Sequence, residues 1–84
     1  MSETKKAKPC ACCGYLTITN QIGTFEICDV CGWEDDDLQE EQPDYAGGAN
    51  HISLNEGRAN FKKFGASKEK SRDRVRPPRE SEIP

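Results

Sequence analysis

Two short stretches decide the fold of this 84-residue chain: Cys10-Ala11-Cys12-Cys13-Gly14 and Cys28-Asp29-Val30-Cys31-Gly32. Each is a C-x-x-C pair followed at once by glycine. A C-x-x-C turn points both sulfurs at one place, and two such turns supply four soft donors for a tetrahedral ion. The glycine permits the positive φ that closes the turn. The pattern predicts one Zn²⁺ per chain, bound by Cys10, Cys13, Cys28 and Cys31; a cluster of free thiols and two disulfides are the alternatives.

The size of the chain makes a metal important for folding. With 84 residues and 33% hydrophobic content, it has room for one small domain. Domains of this size bury little surface and commonly need a metal or disulfides. Structural zinc contributes on the order of 10–16 kcal/mol in small peptides, more than the usual stability margin of a domain. We therefore expect ligation to decide whether the chain folds.

The cellular compartment is predicted from two absences in the sequence. The lysine-bearing N-terminus has no apolar segment typical of a secretory signal, and no apolar run approaches the roughly 20 residues of a membrane span. The five cysteines are an odd number, which favours a reducing compartment over paired disulfides. The sequence therefore predicts a cytoplasmic protein that does not contact membranes, and we expect a monomer.

Strand and helix signals follow from the residue pattern. Residues 15–19 and 24–27 alternate and are rich in β-branched side chains, with Phe25 and Ile27 predicted to point inward and a turn at 20–23. Ser53 followed three residues later by Glu56 is a capping box that begins a helix, and Gly65 is suited to end it. The predicted fold is a small metal-stabilised α+β domain: a zinc-ribbon β-hairpin, an acidic loop over 34–50 and one short helix.

Composition divides the chain into three parts. Residues 1–9 are predicted to be a flexible leader and residues 10–65 a zinc-ribbon domain. Residues 66–84 are polar and basic, with eight Lys or Arg against four acids between positions 62 and 84. Because no apolar face there offsets the entropy of ordering, a disordered basic tail is predicted.

The chain also resembles a known family. The resemblance rests on both cysteine stretches and on Phe25-Glu26-Ile27, Trp33-Glu34-Asp35-Asp36, Pro43-Asp44-Tyr45, Gly47-Gly48-Ala49-Asn50-His51, Ser53-Leu54-Asn55-Glu56, Asn60-Phe61 and Gly65. On these residues it is similar to the bacterial cysteine-rich CPCC family. Ala11 and Asp29 stand where that family usually has proline. The resemblance implies a zinc-ribbon-like fold and no established activity.

An acidic segment follows the second pair of cysteines. Nine acids and no Lys or Arg lie between Glu26 and Tyr45. This charge favours a basic protein partner, and the candidate partner-binding residues are Trp33, Glu34, Asp35, Asp36, Asp37 and Tyr45. For the acidic run the first interpretation is a solvated surface, with docking or a cation site as alternatives. For Trp33 it is a structural lid over the metal site and hairpin, with its N–H bonded to the backbone, and partner binding is the alternative.

Two further residues have side chains that bind metals. Cys12 lies between two predicted ligands, so its sulfur is expected to point away from the ion; a reactive thiol or a ligand that replaces Cys13 is the alternative. His51 is the single histidine. It precedes the predicted helix, and we expect it to bond locally there because four cysteines already complete a tetrahedron.

Four classes of function are compatible with these features to different degrees. The leading hypothesis is a non-enzymatic, zinc-binding module that docks a basic protein through the acidic loop. A rubredoxin-like iron protein for electron transfer is the second, although rubredoxins place their cysteine pairs farther apart. A nucleic-acid-binding ribbon is the third, contacting phosphates weakly through the tail. An enzyme is the weakest, since a zinc ion with four thiolates has no open position for water.

Overall fold

A computed structural model describes residues 7–20 and 23–84 of the chain. Two antiparallel strands, β1 (Lys8–Pro9) and β2 (Leu16–Ile18), are followed by helices α1 (Asp37–Glu41) and α2 (Leu54–Phe64). Single turns of 3₁₀ helix form at Glu69–Ser71 and Glu80–Glu82. This order of elements agrees with a small α+β fold that has a hairpin and one main helix.

The first hairpin encloses the first cysteine loop, which we define as residues 10–14. Lys8 pairs with Ile18 and Pro9 with Leu16, with a register shift between Lys8 and Pro9. The loop reverses the chain between these strands, so the closest available partner for β2 is the segment just before the loop. Residues 8 and 9 of the predicted leader therefore form β1, and residues 1–6 lie outside the described part.

The second cysteine loop, residues 28–32, is enclosed in the same way. Its flanking segments meet through a bridge between Ile27 and Glu34 and through backbone bonds from Phe25 N to Asp35 O, Asp35 N to Glu26 O and Cys28 N to Trp33 O. The predicted strand over 24–27 does not pair with β2. Instead of one hairpin between the two loops, the chain forms one short ladder around each loop.

Phe25 and Ile27 do not point inward as predicted. Their exposed fractions are 56% and 58%. Phe25 has a φ of 64°, in the left-handed region, so the backbone there departs from the extended form that regular alternation requires. The predicted turn includes Gln21 and Ile22, which lie outside the described residues.

Helix α2 begins and ends where the sequence predicts. The Ser53 hydroxyl accepts a hydrogen bond from Glu56 N at 3.1 Å, and Gly65 caps the other end with a φ of 84°. Gly57 lies in the helix interior, where a Cβ would stand 3.3 Å from the Trp33 ring. The helix therefore lies directly on the tryptophan, and the missing side chain at position 57 permits this approach.

The core is built around the cysteines themselves. Its fully or nearly buried members are Cys10, Cys12, Ile18, Cys28, Val30, Cys31, Trp33 and Leu54. Tyr15, Ile52 and Phe61 pack at its edge. No helix within residues 7–20 and 23–84 has the length and apolar character needed to cross a membrane.

The acidic loop contains a short helix and a buried polar network. The Asp36 carboxylate caps α1 by accepting from Leu38 N at 2.9 Å, and it also accepts from Ala49 N at 2.8 Å. Behind it, Gln39 and Asn50 are buried and hydrogen-bonded to each other through their side chains at 2.9 Å. This part of the loop is held by polar contacts in place of an apolar core.

The segment after α2 is not confirmed as a disordered tail. Ala66 and Ser67 are buried, and Ser67 N donates to Cys31 O at 2.7 Å. Further along, Arg76 N donates to Asp29 O at 3.1 Å. The mainly polar composition hides this packing, because the contacts are made by backbone groups and small side chains. Residues 66–76 therefore belong to the packed structure.

Candidate metal centre

Four sulfurs, one from each predicted ligand, meet at a single point between the two cysteine loops. The sulfur atoms of Cys10, Cys13, Cys28 and Cys31 all lie within 4.8 Å of one another. Cys10 Sγ and Cys31 Sγ are 3.6 Å apart, and Cys13 Sγ and Cys28 Sγ are 3.7 Å apart. A tetrahedral site with metal–sulfur bonds of about 2.3 Å has sulfur–sulfur edges of about 3.8 Å. The four thiols therefore fit one tetrahedral ion.

Disulfides are not formed at this site. All five cysteines are free thiols in the structure. The sulfur–sulfur distances above far exceed the bond of about 2.05 Å that a disulfide requires. The structure therefore does not contain the two disulfides that the sequence left open as an alternative.

The two loops repeat the same backbone bonds. In the first loop, Cys10 N donates to Tyr15 O at 2.9 Å and Gly14 N donates to Cys10 O at 2.8 Å. In the second loop, Cys28 N donates to Trp33 O at 3.0 Å and Gly32 N donates to Cys28 O at 2.8 Å. Gly14 and Gly32 have φ values of 82° and 84°, the conformation predicted from the sequence. Each loop is thus a pre-formed unit that presents two sulfurs.

A threonine links the two halves of the centre. Thr17 lies on β2, beside the first loop, and its Oγ1 is 3.0 Å from the sulfur of Cys28 in the second loop. A hydroxyl can donate its proton to a thiolate, which supports the charged form of the ligand and fixes its position. Thr17 was not among the predicted site residues. Its place as the polar side chain between Leu16 and Ile18 is the feature of the sequence that points to it.

The four thiols influence one another's ionisation. The pKa of the Cys28 thiol is lowered because Cys10, Cys13 and Cys31 donate hydrogen bonds to its sulfur, with Thr17 adding to the effect. The pKa of Cys31 is raised, first by its contact with Cys10 and also by burial. Without a cation the cluster therefore favours one negative charge over four. A bound divalent ion would allow all four thiols to ionise.

Cys12 and His51 lie outside the group of four. The sulfur of Cys12 would be 3.4 Å from a Cβ on Gly57, so it faces α2. His51 is exposed. Within the described ranges, 7–20 and 23–84, the four thiols are the one group of His, Cys, Asp or Glu side chains that could hold a metal.

The candidate partner-binding residues are divided between the interior and the surface. Trp33, Asp35 and Asp36 are buried, Glu34 is half-buried, and Asp37 and Tyr45 are exposed. Trp33 has an exposed fraction of 0%, which matches its predicted alternative role as a lid. Its indole N–H has no hydrogen-bond partner among the described residues, so the predicted backbone bond is wrong. Three of the six side chains therefore stabilise the fold and cannot contact a partner directly.

Comparison with known proteins identifies the family. Among curated proteins, none matches this chain. A family model described as cysteine-rich CPCC matches residues 8–82 of the 84. The match covers both cysteine loops, α1, α2 and the segment after α2, so the unit it defines is longer than the predicted 10–65. A bacterial origin stays a prediction. The chain belongs to the cysteine-rich CPCC family.

Proposed function

We propose that this protein is a non-enzymatic module built around one Zn²⁺ per chain, with Cys10, Cys13, Cys28 and Cys31 as ligands. The observation that carries the proposal is the meeting of four sulfurs at tetrahedral spacing. Thiolates are soft ligands that favour zinc and iron–sulfur centres over hard cations. Four of them complete a tetrahedron and leave no position for a reacting water, which supports a structural role.

The metal experiment separates zinc from the rubredoxin-like alternative. The purified chain is analysed for metals and its visible absorbance is recorded, without added metal and after reconstitution with Zn²⁺ or Fe²⁺. We expect one zinc per chain, a colourless protein, and folding that is lost on chelation. A coloured protein that prefers iron under equal supply would contradict the proposal and favour electron transfer. Failure to bind either ion would remove the metal site altogether.

The second part of the proposal concerns a basic protein partner. Exposed acids lie on and after α1, namely Asp37, Glu41 and Asp44. Two exposed apolar side chains, Leu38 and Tyr45, lie among them. Charge complementarity raises association rates, and an aromatic or aliphatic side chain within a charged patch is a typical anchor. These five residues, which we name the acidic face, support docking better than the buried Asp35 and Asp36 do.

The docking test uses matched charge reversals. The double variant Asp37→Lys/Glu41→Lys changes the acidic face, and Asp73→Lys/Glu80→Lys makes the same change of charge on exposed residues elsewhere. We expect only the first variant to slow association with a basic partner recovered from the native cell extract, and the difference to shrink as salt rises. Equal rates for both variants would contradict docking at this face. Zinc content is measured in each variant to show that the centre is intact.

A further inference from the structure

The segment after α2 lies across the second cysteine loop and is tied to it at both ends. We define residues 66–76 as the strap. At its start, Ser67 N donates to Cys31 O at 2.7 Å, and at its end Arg76 N donates to Asp29 O at 3.1 Å. Both acceptors belong to the loop that carries two of the four ligands. The strap is therefore bonded to the second loop at two separate points.

The middle of the strap packs directly on the glycine of that loop. A Cβ on Gly32 would lie 2.7 Å from Ser71 Oγ and 3.6 Å from Val75 Cγ1. Ser71 has an exposed fraction of 8% in spite of its polar side chain. Because Gly32 has no side chain, the strap approaches the backbone that positions Cys31. Opening of the loop would require the strap to move first.

Charged groups hold the far end of the strap. The Arg76 guanidinium is 3.7 Å from the Asp29 carboxylate and forms two bonds of 2.8 Å with Glu82. The pKa of Arg76 is raised, chiefly by its bond to Glu82, with smaller contributions from Asp29 and Cys28. A divalent ion with four thiolates carries a net charge of about −2, which this cation would favour.

The other end of the strap is anchored on α2. The Asn60 side chain donates to Ser67 O at 2.9 Å, and the guanidinium of Arg72 lies 5.4 Å from the centre of the Phe64 ring. A cleft of about 220 Å³ runs between the strap and the second loop. Its lining includes Cys28 on one wall and Lys68, Ser71 and Arg74 on the other. This cleft is a route by which a chelating molecule can reach a ligand if the strap shifts.

From these contacts we propose that the strap closes the second cysteine loop over the metal and sets the rate at which the ion is exchanged. The inference rests on the proposed metal function and adds a control of its release. The first loop is contacted by α2 and not by the strap: Arg58 Nε donates to Ala11 O at 3.0 Å, and Cys13 is only half-buried. Exchange that begins at Cys13 would not depend on the strap, so the two routes predict different results.

The test measures zinc transfer from the full-length, zinc-loaded chain to an excess of a coloured chelator. Ser71→Leu places a larger side chain against Gly32 and displaces the strap, whereas Asp73→Leu makes a similar apolar change at an exposed position two residues away. We expect Ser71→Leu to keep one zinc per chain and to transfer it about ten-fold faster, since both backbone ties are weakened. The amides of Ser67 and Arg76 should exchange hydrogen faster in the same variant. Asp73→Leu should behave like the parent.

A parent-like transfer rate in Ser71→Leu, together with faster exchange at the Ser67 and Arg76 amides, would overturn the proposal. Equal acceleration by Asp73→Leu would also overturn it, because the effect would then be general destabilisation. Should Ser71→Leu not fold, Arg76→Ala serves instead: roughly two- to three-fold faster transfer is expected, with recovery in Arg76→Lys, and an unchanged rate overturns the proposal. A parent chain without bound metal would contradict the proposed function instead of the strap.

Discussion

The two cysteine loops share their backbone bonds but differ in what covers them. Each has a cysteine N–H that bonds to the carbonyl five residues later and a glycine in the left-handed conformation. In the second loop Cys28, Val30, Cys31 and Gly32 are all buried, whereas Cys13 and Gly14 of the first loop are half-buried. Local sequence therefore determines the shape of each loop, and the rest of the chain determines how well it is protected.

The residues that follow the loops show the same contrast. Tyr15 and Trp33 occupy equivalent positions, because each follows the loop glycine and accepts a bond from the first cysteine. Trp33 is fully buried under α2, while Tyr15 is half-buried and meets Phe61 edge-on with ring centres 6.2 Å apart. We infer that the second loop is the stable half of the centre and the first loop the more accessible half.

The largest expected effect comes from removing a ligand. Cys31→Ser should abolish zinc binding and the near-UV signal of Trp33, because metal ligation of this kind contributes on the order of 10–16 kcal/mol. Cys13→Ser should retain measurable zinc, since water can reach the half-buried position and take the vacant site. Metal analysis and near-UV circular dichroism measure both. Cys12→Ser is the control and should keep one zinc per chain; greater loss in Cys13→Ser than in Cys31→Ser would reverse the ranking of the loops.

The equivalent aromatic residues provide the next comparison. Trp33→Ala should lower the free energy of unfolding of the zinc-loaded chain by about 3–5 kcal/mol, as expected for a fully buried large side chain. Tyr15→Ala should lower it by roughly 1–2 kcal/mol, within the ordinary range for partly buried sites. Denaturant unfolding followed by far-UV circular dichroism measures both changes. Equal losses would show that the two positions are energetically equivalent in spite of their different burial.

A smaller effect is expected where the two loops meet. Thr17→Val removes the hydroxyl that lies 3.0 Å from Cys28 Sγ while keeping the side-chain shape. Loss of such an outer contact typically weakens metal binding about 10- to 100-fold, and we expect the lower end of this range. Competition with a chelator of known affinity measures it. Thr19→Val is the matched control, because the Thr19 hydroxyl bonds to the Glu26 carboxylate at 3.1 Å and not to a cysteine.

The smallest effect concerns the acids that follow the second loop. Burial raises the pKa of Glu40 to about 8, and the neighbouring Asp35 carboxylate adds to the shift. Near it, Asp36 and Asp37 contribute further negative charge. Since the folded chain holds this proton more tightly than the unfolded chain, stability should fall as pH rises from about 4.5 to 8.

Glu40→Gln should remove this dependence of stability on pH. The unfolding midpoint is measured between pH 6.5 and 8, where protons do not yet compete strongly for the thiolates. We expect a gain in the unfolding midpoint that is largest at pH 8 and becomes smaller towards pH 6.5. The change should be modest because Glu40 is only partly buried, so water screens part of its charge. Glu41→Gln, which changes the exposed neighbour, is the control and should leave the pH dependence of stability as it is in the parent. A pH dependence in Glu40→Gln identical to the parent would show that Glu40 titrates normally.

Local signals in the sequence were sufficient for the ligands and for α2. The four cysteines, the loop glycines, the Ser53 cap and Gly65 each act within a few residues of their own position, so spacing alone predicts them. The same reasoning predicted a strand over 24–27 because the side chains alternate. In the structure this segment instead pairs with residues 34–35 on the other side of the second loop, and Phe25 has a positive φ.

The sequence by itself predicted which four thiols come together, because each C-x-x-C-G loop presents two sulfurs to the same place. Only the tertiary structure decided which acids are buried and which are exposed. Asp35 and Asp36 accept backbone N–H bonds inside the fold while Asp37 faces solvent, and a run of like charges carries no signal of that difference. The strap was likewise invisible in composition. Its contacts use backbone amides and small side chains, which pack well only once the loop and α2 have created a surface for them.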